Sequence, residues 1–448
     1  MSYILKTNVK IAMPQKANHP VIKELTGNYT YGTNWLFDFC HDKNCITIGE
    51  CTRVDIADGE YVLSVTDSGV YIGGVNYSAV IRGYISFLEK IKYNEAEDVF
   101  YAENVLEIGK PYLNLRCVHL CVFPETEYDF LRKCIRSCAI SMYSHVITEF
   151  WGMLKFDCMK ELSWPFAYDK KEIKDLFDEA RALGLEIIPM LNHLGHAASA
   201  RAINGKHVVL DQNPKLDYMF ESYGWIWNIE REDVRNLHRC IREELMELCG
   251  DGEYFHLGCD EAYAYGHDIN KAKVLYEYLN EIADELKAKG RRPIMWHDML
   301  LEGSWTDGYA SNSSKEVAKL LIDNVSRDFV VADWEYFKRG EIWRSSATIR
   351  EAGFDVLCCP WDKYEVIEEA VETAETLGCK GIIHTTWQSL DRGFPKMVYT
   401  GRLSYDAKLK DNNEIKFFYC AHVVRKAMPS NGEYEKTGWT KKMVAPGL

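Results

Sequence analysis

Asp260 and Glu261 stand side by side at the end of the apolar run "YFHLGCDEAYAYG". Two carboxylates so placed can divide the acid–base work on one bond. A glycosidic bond breaks when a carboxylic acid protonates the leaving oxygen while a group on the other side stabilises the oxocarbenium-like carbon. Adjacent residues on a regular strand face opposite ways, so both acids reach one site only if the chain leaves the pleat there. Their position where the run ends allows that.

Residues able to act with them recur at the ends of other short runs. Arg116 and His119 lie in "LRCVHLCVF", Glu149 and Trp151 close "HVITEFW", and Asn192, His193 and His196 follow "EIIPMLN". Trp296, His297 and Asp298 end "PIMWHDM", and Trp334 and Tyr336 end "FVVADWEY". Trp361, Asp362 and Tyr364 follow "DVLCCPW", and Trp387 and Gln388 end "GIIHTTWQ". Indole faces stack on the apolar C–H face of a pyranose, while carboxylates, amides and histidines bind its hydroxyls, so this mixture is the chemistry of a sugar pocket.

The elements that must position these residues follow a repeated unit from residue 111 onward: an amphipathic helix, a glycine, then a short apolar strand. The joints "ALGLEIIP", "KAKGRRPIMW", "EAGFDVLCC" and "TLGCKGIIH" each put glycine where a helix closes in the left-handed conformation. The runs after them are apolar on both faces, as buried parallel strands are. Eight such strands predict an α/β fold, a (β/α)8 TIM barrel over 111–428, whose functional groups lie at the C-terminal strand ends. Residues 1–110 read as a small α+β domain, with "YVLSVT" and "VYIGGV" joined by the turn Asp67-Ser68-Gly69 and followed by a helix in "NYSAVIRGYISFLEKIK". The last helix is expected in "NNEIKFFYCAHVVRKAM", and 429–448 as an irregular tail.

The chain has 448 residues, 47% of them hydrophobic, enough for a large core. With 53 Lys and Arg against 67 Asp and Glu, its net charge is −14. No basic tract offers itself to a phosphate backbone, so neither nucleic acid nor a membrane is expected as a partner. No leader-like or membrane-spanning run is seen, and a cytoplasmic protein is expected. Many of the fifteen cysteines sit inside apolar strands, as in "DVLCCPW", which suits free, reduced thiols. Cys40, His41, Cys45 and Cys51 have irregular spacing and read as a loop entering a strand rather than a metal site.

"HLGCDEAYAYG" resembles the HxGxDE motif of glycoside hydrolase family 20, the β-N-acetylhexosaminidases, most closely their intracellular hexosaminidase D-like branch. "LRCVHL", "VITEFWGMLKF", "IIPMLNHLGHA", "IMWHDML" and "TTWQSL" are similar, in order, to the family's first, second, third, fifth and last barrel strands. The region "YVLSVTDSGVYIGGVNYSAVIRGYISFLEKI" is similar to the small domain before its barrel. The resemblance implies an exo-acting, retaining, substrate-assisted hydrolase for terminal GlcNAc or GalNAc. The substrate's 2-acetamido oxygen would attack C1, Glu261 would be general acid and base, and Asp260 would orient the acetamide. It further implies substrate-binding roles for Arg116, Glu149, His196, Trp296, Asp298, Trp334, Tyr336, Trp361, Trp387 and Gln388, with Tyr364 second to Tyr336 as the tyrosine on the acetamide. No cofactor or metal is implied, the partner is a glycan or glycoconjugate ending in N-acetylhexosamine, and a homodimer is allowed. Asn192 and Gln388 stand where many members carry acids. The residues alone leave three other readings open: a conventional retaining β-glycosidase with Asp362 or Glu149 as nucleophile, a metal-dependent barrel hydrolase using His193, His196, His256 and Asp298, and a silent sugar-binding barrel.

Overall fold

The computed structural model describes residues 2–428 apart from 7, 31–32, 42–44, 50–59, 151, 199–208, 223 and 389. Trp151, Cys51 and the expected tail therefore lie outside the described residues. Eight parallel strands form one sheet: β1 (Leu115–Cys121), β2 (His145–Glu149), β3 (Glu186–Pro189), β4 (Tyr254–His256), β5 (Arg292–Trp296), β6 (Val330–Trp334), β7 (Asp355–Cys359) and β8 (Gly381–His384). Sequence neighbours pair along the sheet except β3 and β4, which stand at its two ends, and β8 pairs with β1. The isolated bridge between Met190 and His256 joins β3 to β4, with Leu191 N donating to the His256 carbonyl at 3.1 Å and closing the barrel.

Alternation along the strands separates two cores. Leu115, Cys117, Ile147, Ile188, Ile294, Trp296, Val330, Leu357 and Ile383 point inward and pack together. The intervening residues, among them Val118, Val146, Ile187, Met295 and Val331, face the helices. Gly184, Gly290, Gly353 and Gly378 at the four expected joints all have φ between +60° and +92°, the region where a side chain would be strained.

The N-terminal residues form a six-stranded sheet in the order 34–41, 8–14, 45–49, 69–74, 61–66, 105–109. Cys40, His41 and Cys45 fall in two of these strands. Strands 61–66 and 69–74 are antiparallel, with Thr66 opposite Gly69 across the expected turn. The helix Tyr77–Glu89, capped by the Asn76 side chain on Ala79 N, covers this sheet and sits at the N-terminal pole of the barrel. There Gly184 comes up against Ser78 and Ile81, and Tyr77 Oη donates to the Ala182 carbonyl at 2.6 Å. The C-terminal helical stretch breaks at Phe418 into 413–417 and 419–427 and ties the two parts together, Lys426 and Asn28 exchanging hydrogen bonds of 3.0 and 2.8 Å.

Candidate active site

β4 ends at His256, and the chain beyond it leaves the pleat: Gly258, Cys259 and Glu261 have φ of +65°, +73° and +50°. Left-handed conformations at non-glycine residues cost about 1–3 kcal/mol each and persist where the surroundings enforce them. The enforcement is visible. Glu261 N donates to Asp298 Oδ2 at 2.8 Å, Trp225 Nε1 donates to the Glu261 carbonyl at 2.9 Å, and Gly195 lies so close that a Cβ there would stand 2.0 Å from the Asp260 carbonyl oxygen. The twist brings both acids to one side, as their place at the strand end suggested.

They meet at His196, itself at φ +60°, whose Nε2 lies 3.2 Å from Asp260 Oδ2 and 3.3 Å from Glu261 Oε2. Burial opposes protonation of this ring, but the two carboxylates prevail and push its pKa up to about 10. The imidazole is therefore a cation at neutral pH. Trp225 packs on it, ring centroids 4.3 Å apart. Asp260 is buried, and its Oδ1 has no hydrogen-bond partner among the described residues. Glu261 is the more open of the pair, its side chain 24% exposed.

An aromatic wall faces them. Tyr309, Trp334 and Tyr336 stack in sequence at 5.1 and 5.2 Å, Trp361 meets Tyr336 edge-on, and Trp387 Nε1 donates to Tyr336 Oη. Burial pushes the Tyr336 phenol well above its ordinary range, with Asp260's charge among the causes, so it is a neutral donor. Gln388 is half-buried beside Trp387.

Several expected contacts are not where the sequence placed them. Arg116 is not at the site: Leu115 and Cys117 face into the barrel, so the residue between them faces out. Its guanidinium donates to the carbonyls of Met142, Leu113 and Asn114 near the N-terminal pole. Trp296 is fully buried among His119, His256 and Trp387, a floor under the pocket rather than a surface for a sugar. Asp298 is also fully buried. Burial and the Asp260 charge push its pKa up to about 6, and it accepts from Ser311 and from Glu261 N, so it braces the loop that carries both acids from behind. Glu149 is engaged by Asn192 Nδ2 at 2.6 Å and His119 Nε2 at 2.9 Å. Tyr364 donates to the Lys416 carbonyl at 2.8 Å, on a helix, which removes it as the acetamide tyrosine. Sequence reasoning missed Trp225, Tyr309 and Ser311, which come from loops with no strand-end signal.

The ligand set of the metal reading does not converge. His193 is held by the Leu191 carbonyl and Arg242, and burial with the Arg242 charge pushes it down to about 3. His256 Nδ1 accepts from Gly258 N. Among the described residues, the groups spaced to hold an ion are His119–Cys121–Glu149, Cys158–Cys240–Glu244 and His297–Asp333–Glu335, and none includes His193, His196, His256 or Asp298.

A closed parallel barrel whose C-terminal strand ends carry paired acids facing an aromatic wall is the arrangement of a glycoside hydrolase. The chain belongs to glycosyl hydrolase family 20, whose catalytic-domain model matches residues 151–376. It is 24% identical to hexosaminidase D of Bos taurus over 272 residues, 55% of this chain and 76% of that protein. Against hexosaminidase D of Homo sapiens it is 22% identical over 252 residues, half of each chain. The fold is similar to that of the Flavobacterium johnsoniae chitobiase, with a TM-score of 0.68 at 12% identity over 98% of this chain and 72% of the other. No helix among the described residues is long and apolar enough to cross a membrane.

Proposed function

We propose that this glycoside hydrolase is an exo-acting β-N-acetylhexosaminidase that removes terminal GlcNAc or GalNAc by a retaining, substrate-assisted route. The observation that carries the reading is the unpartnered Oδ1 of Asp260 beside an otherwise paired carboxylate. A buried acceptor with no donor costs about 1–3 kcal/mol, and the amide N–H of a 2-acetamido sugar is a donor of the right kind to satisfy it.

The roles follow. Asp260 accepts from the acetamide N–H, turns the acetamide oxygen towards C1 and stabilises the positive charge that develops on the nitrogen. Tyr336 donates to the acetamide oxygen, and Trp334, Trp361 and Trp387 wall the ring. Glu261, the more accessible acid, protonates the departing oxygen as the acetamide oxygen closes on C1 to give an oxazolinium ion. It then takes a proton from the water that reopens this ion, and the anomeric configuration is retained. The His196 imidazolium neutralises one of the two negative charges. Glu149 is fully committed to Asn192 and His119, which disfavours it as a protein nucleophile. The relatives named as hexosaminidase D agree with this reading, and the many free cysteines among the described residues favour a cytoplasmic setting.

Release of p-nitrophenol from matched β-aryl glycosides of GlcNAc, GalNAc, glucose and galactose tests it. Turnover confined to the two acetamido sugars is expected; comparable turnover of the plain sugars would move the nucleophile onto the protein.

A further inference from the structure

A second, oppositely charged place lies at the far pole, where the N-terminal sheet and its helix meet the barrel. A cleft of about 700 Å³ opens there, with Tyr61, Lys90, Glu107, Lys110, Arg402, Tyr405, Asp406 and Lys408 in its walls. Four cations against two acids is a local excess of positive charge in a chain of net charge −14. Both acids are already committed. Glu107 accepts from Lys90 at 2.7 Å, Tyr61 Oη at 2.6 Å and Ser86 Oγ at 2.9 Å, and Asp406 caps Lys408 N at 3.1 Å.

Behind these walls stand guanidinium groups with no counter-ion. Arg82, only 9% exposed, makes no hydrogen bond or ion pair with any described residue, and its Nε is buried without a partner. Arg82 is not in the cleft wall itself but lies one helical turn before Ser86, which is, and Tyr61 and Tyr405 of the same wall act on its charge, so it stands directly behind that wall. Arg402, in the wall itself, has a buried and unpartnered Nε; Glu89, whose charge reaches it, is taken up by Tyr419 and His422. Arg116 spends three N–H groups on carbonyls, but its Nη2 is buried without an acceptor, and its guanidinium lies 5.4 Å from the centre of the Tyr405 ring. Burial and the neighbouring Arg82 charge push Arg116 down to about 9. The buried hydroxyl of Tyr405 also lacks a partner. Burying a charge without a partner is costly, and two like charges side by side more so. Nothing in catalysis at the other pole uses them.

We propose that this junction binds a small tetrahedral oxyanion, a phosphate or sulfate either free or as an ester on a sugar, with Arg82, Arg402, Arg116 and the Tyr405 hydroxyl as its donors. Planar guanidinium forks match the oxygen spacing of such anions. The occupant would draw together the N-terminal helix (Arg82), β1 (Arg116) and the helix after β8 (Arg402), so it would act as an ionic rivet between the two parts of the chain.

Isothermal titration of the full chain with inorganic phosphate, sulfate and a hexose phosphate at fixed ionic strength tests this, repeated on Arg82→Gln and Arg402→Gln. Saturable binding is expected, weakened about tenfold or more in each variant through the lost charge-assisted bond. Tighter binding of the hexose phosphate would identify an ester as the source, and equal or weaker binding the free anion. No saturable heat from any of the three, or the same affinity in wild type and both variants, would overturn the proposal. Should the variants not fold, the wild type decides by itself: its melting temperature must rise saturably with phosphate and not with potassium chloride of equal ionic strength, and a parallel rise in both would overturn it.

Discussion

Two histidine–carboxylate assemblies lie within the same barrel, and their difference separates chemistry from scaffolding. His119 and Glu149 meet at 2.9 Å with side chains 0% and 5% exposed, and Asn192 closes the remaining oxygen of the acid. They sit on β1 and β2 in regular register, Cys121 opposite Glu149. His196 and the Asp260–Glu261 pair use the same residue types, yet they sit on strained loops, leave one oxygen of Asp260 unpartnered and expose His196 and Glu261 by 22% and 24%. In the sealed pair both carboxylate oxygens are taken, with only the enclosed His119 Nδ1 left over, and its work is to hold strands together. An unsaturated, open one is arranged for a third party.

That contrast can be broken, most severely at Glu261. Glu261→Gln should lower kcat/KM for substrates with poor leaving groups by about 10²–10⁴-fold, the usual worth of a positioned acid, while sparing activated aryl leaving groups. Equal loss on both kinds would remove Glu261 from the acid role. Next is the strained loop itself. In Gly195→Ala the new Cβ must push away the Asp260 carbonyl oxygen, 2.0 Å from where it would stand, and displacing a catalytic group by about an ångström costs about 10²-fold. Activity of the variant within a factor of about two of wild type would show that the loop is not held this tightly.

The smallest effect concerns charge. His196 is raised from 6.5 to about 10, so its contribution to stability is fully present below about pH 6.5 and is lost as pH rises through 10. Melting curves of wild type and His196→Gln should therefore lie furthest apart in the acid part of this window and converge above it. A separation that grows with pH would contradict the imidazolium.

The barrel and the paired acids were legible in the sequence because each left a local mark: glycines 184, 290, 353 and 378 at helix ends, and an apolar run halted by two carboxylates. Arg116 was misplaced for a reason that periodicity cannot reveal. In "LRCVHLC" both faces are apolar, so nothing in the string says that Leu115 and Cys117, not Arg116, look inward. Trp296 shares a strand-end position with Trp387, and only packing shows that the first lies beneath the second. Trp225 reaches the loop that carries both acids, and Tyr309 the aromatic wall, from connections whose course depends on tertiary contacts. The guanidinium groups at the opposite pole come from residues 82, 116 and 402, brought together only by folding.

The central claim is that the substrate's acetamide, held by Asp260, is the nucleophile. It is tested most directly by hydrolysis of one aryl β-glycoside series in which the N-acetyl methyl carries zero, one, two or three fluorines. Each fluorine withdraws electrons from the acetamide oxygen, so kcat/KM should fall steeply and monotonically along the series, and the slope should flatten in Asp260→Asn. A rate independent of fluorination would place the nucleophile on the protein and contradict the account.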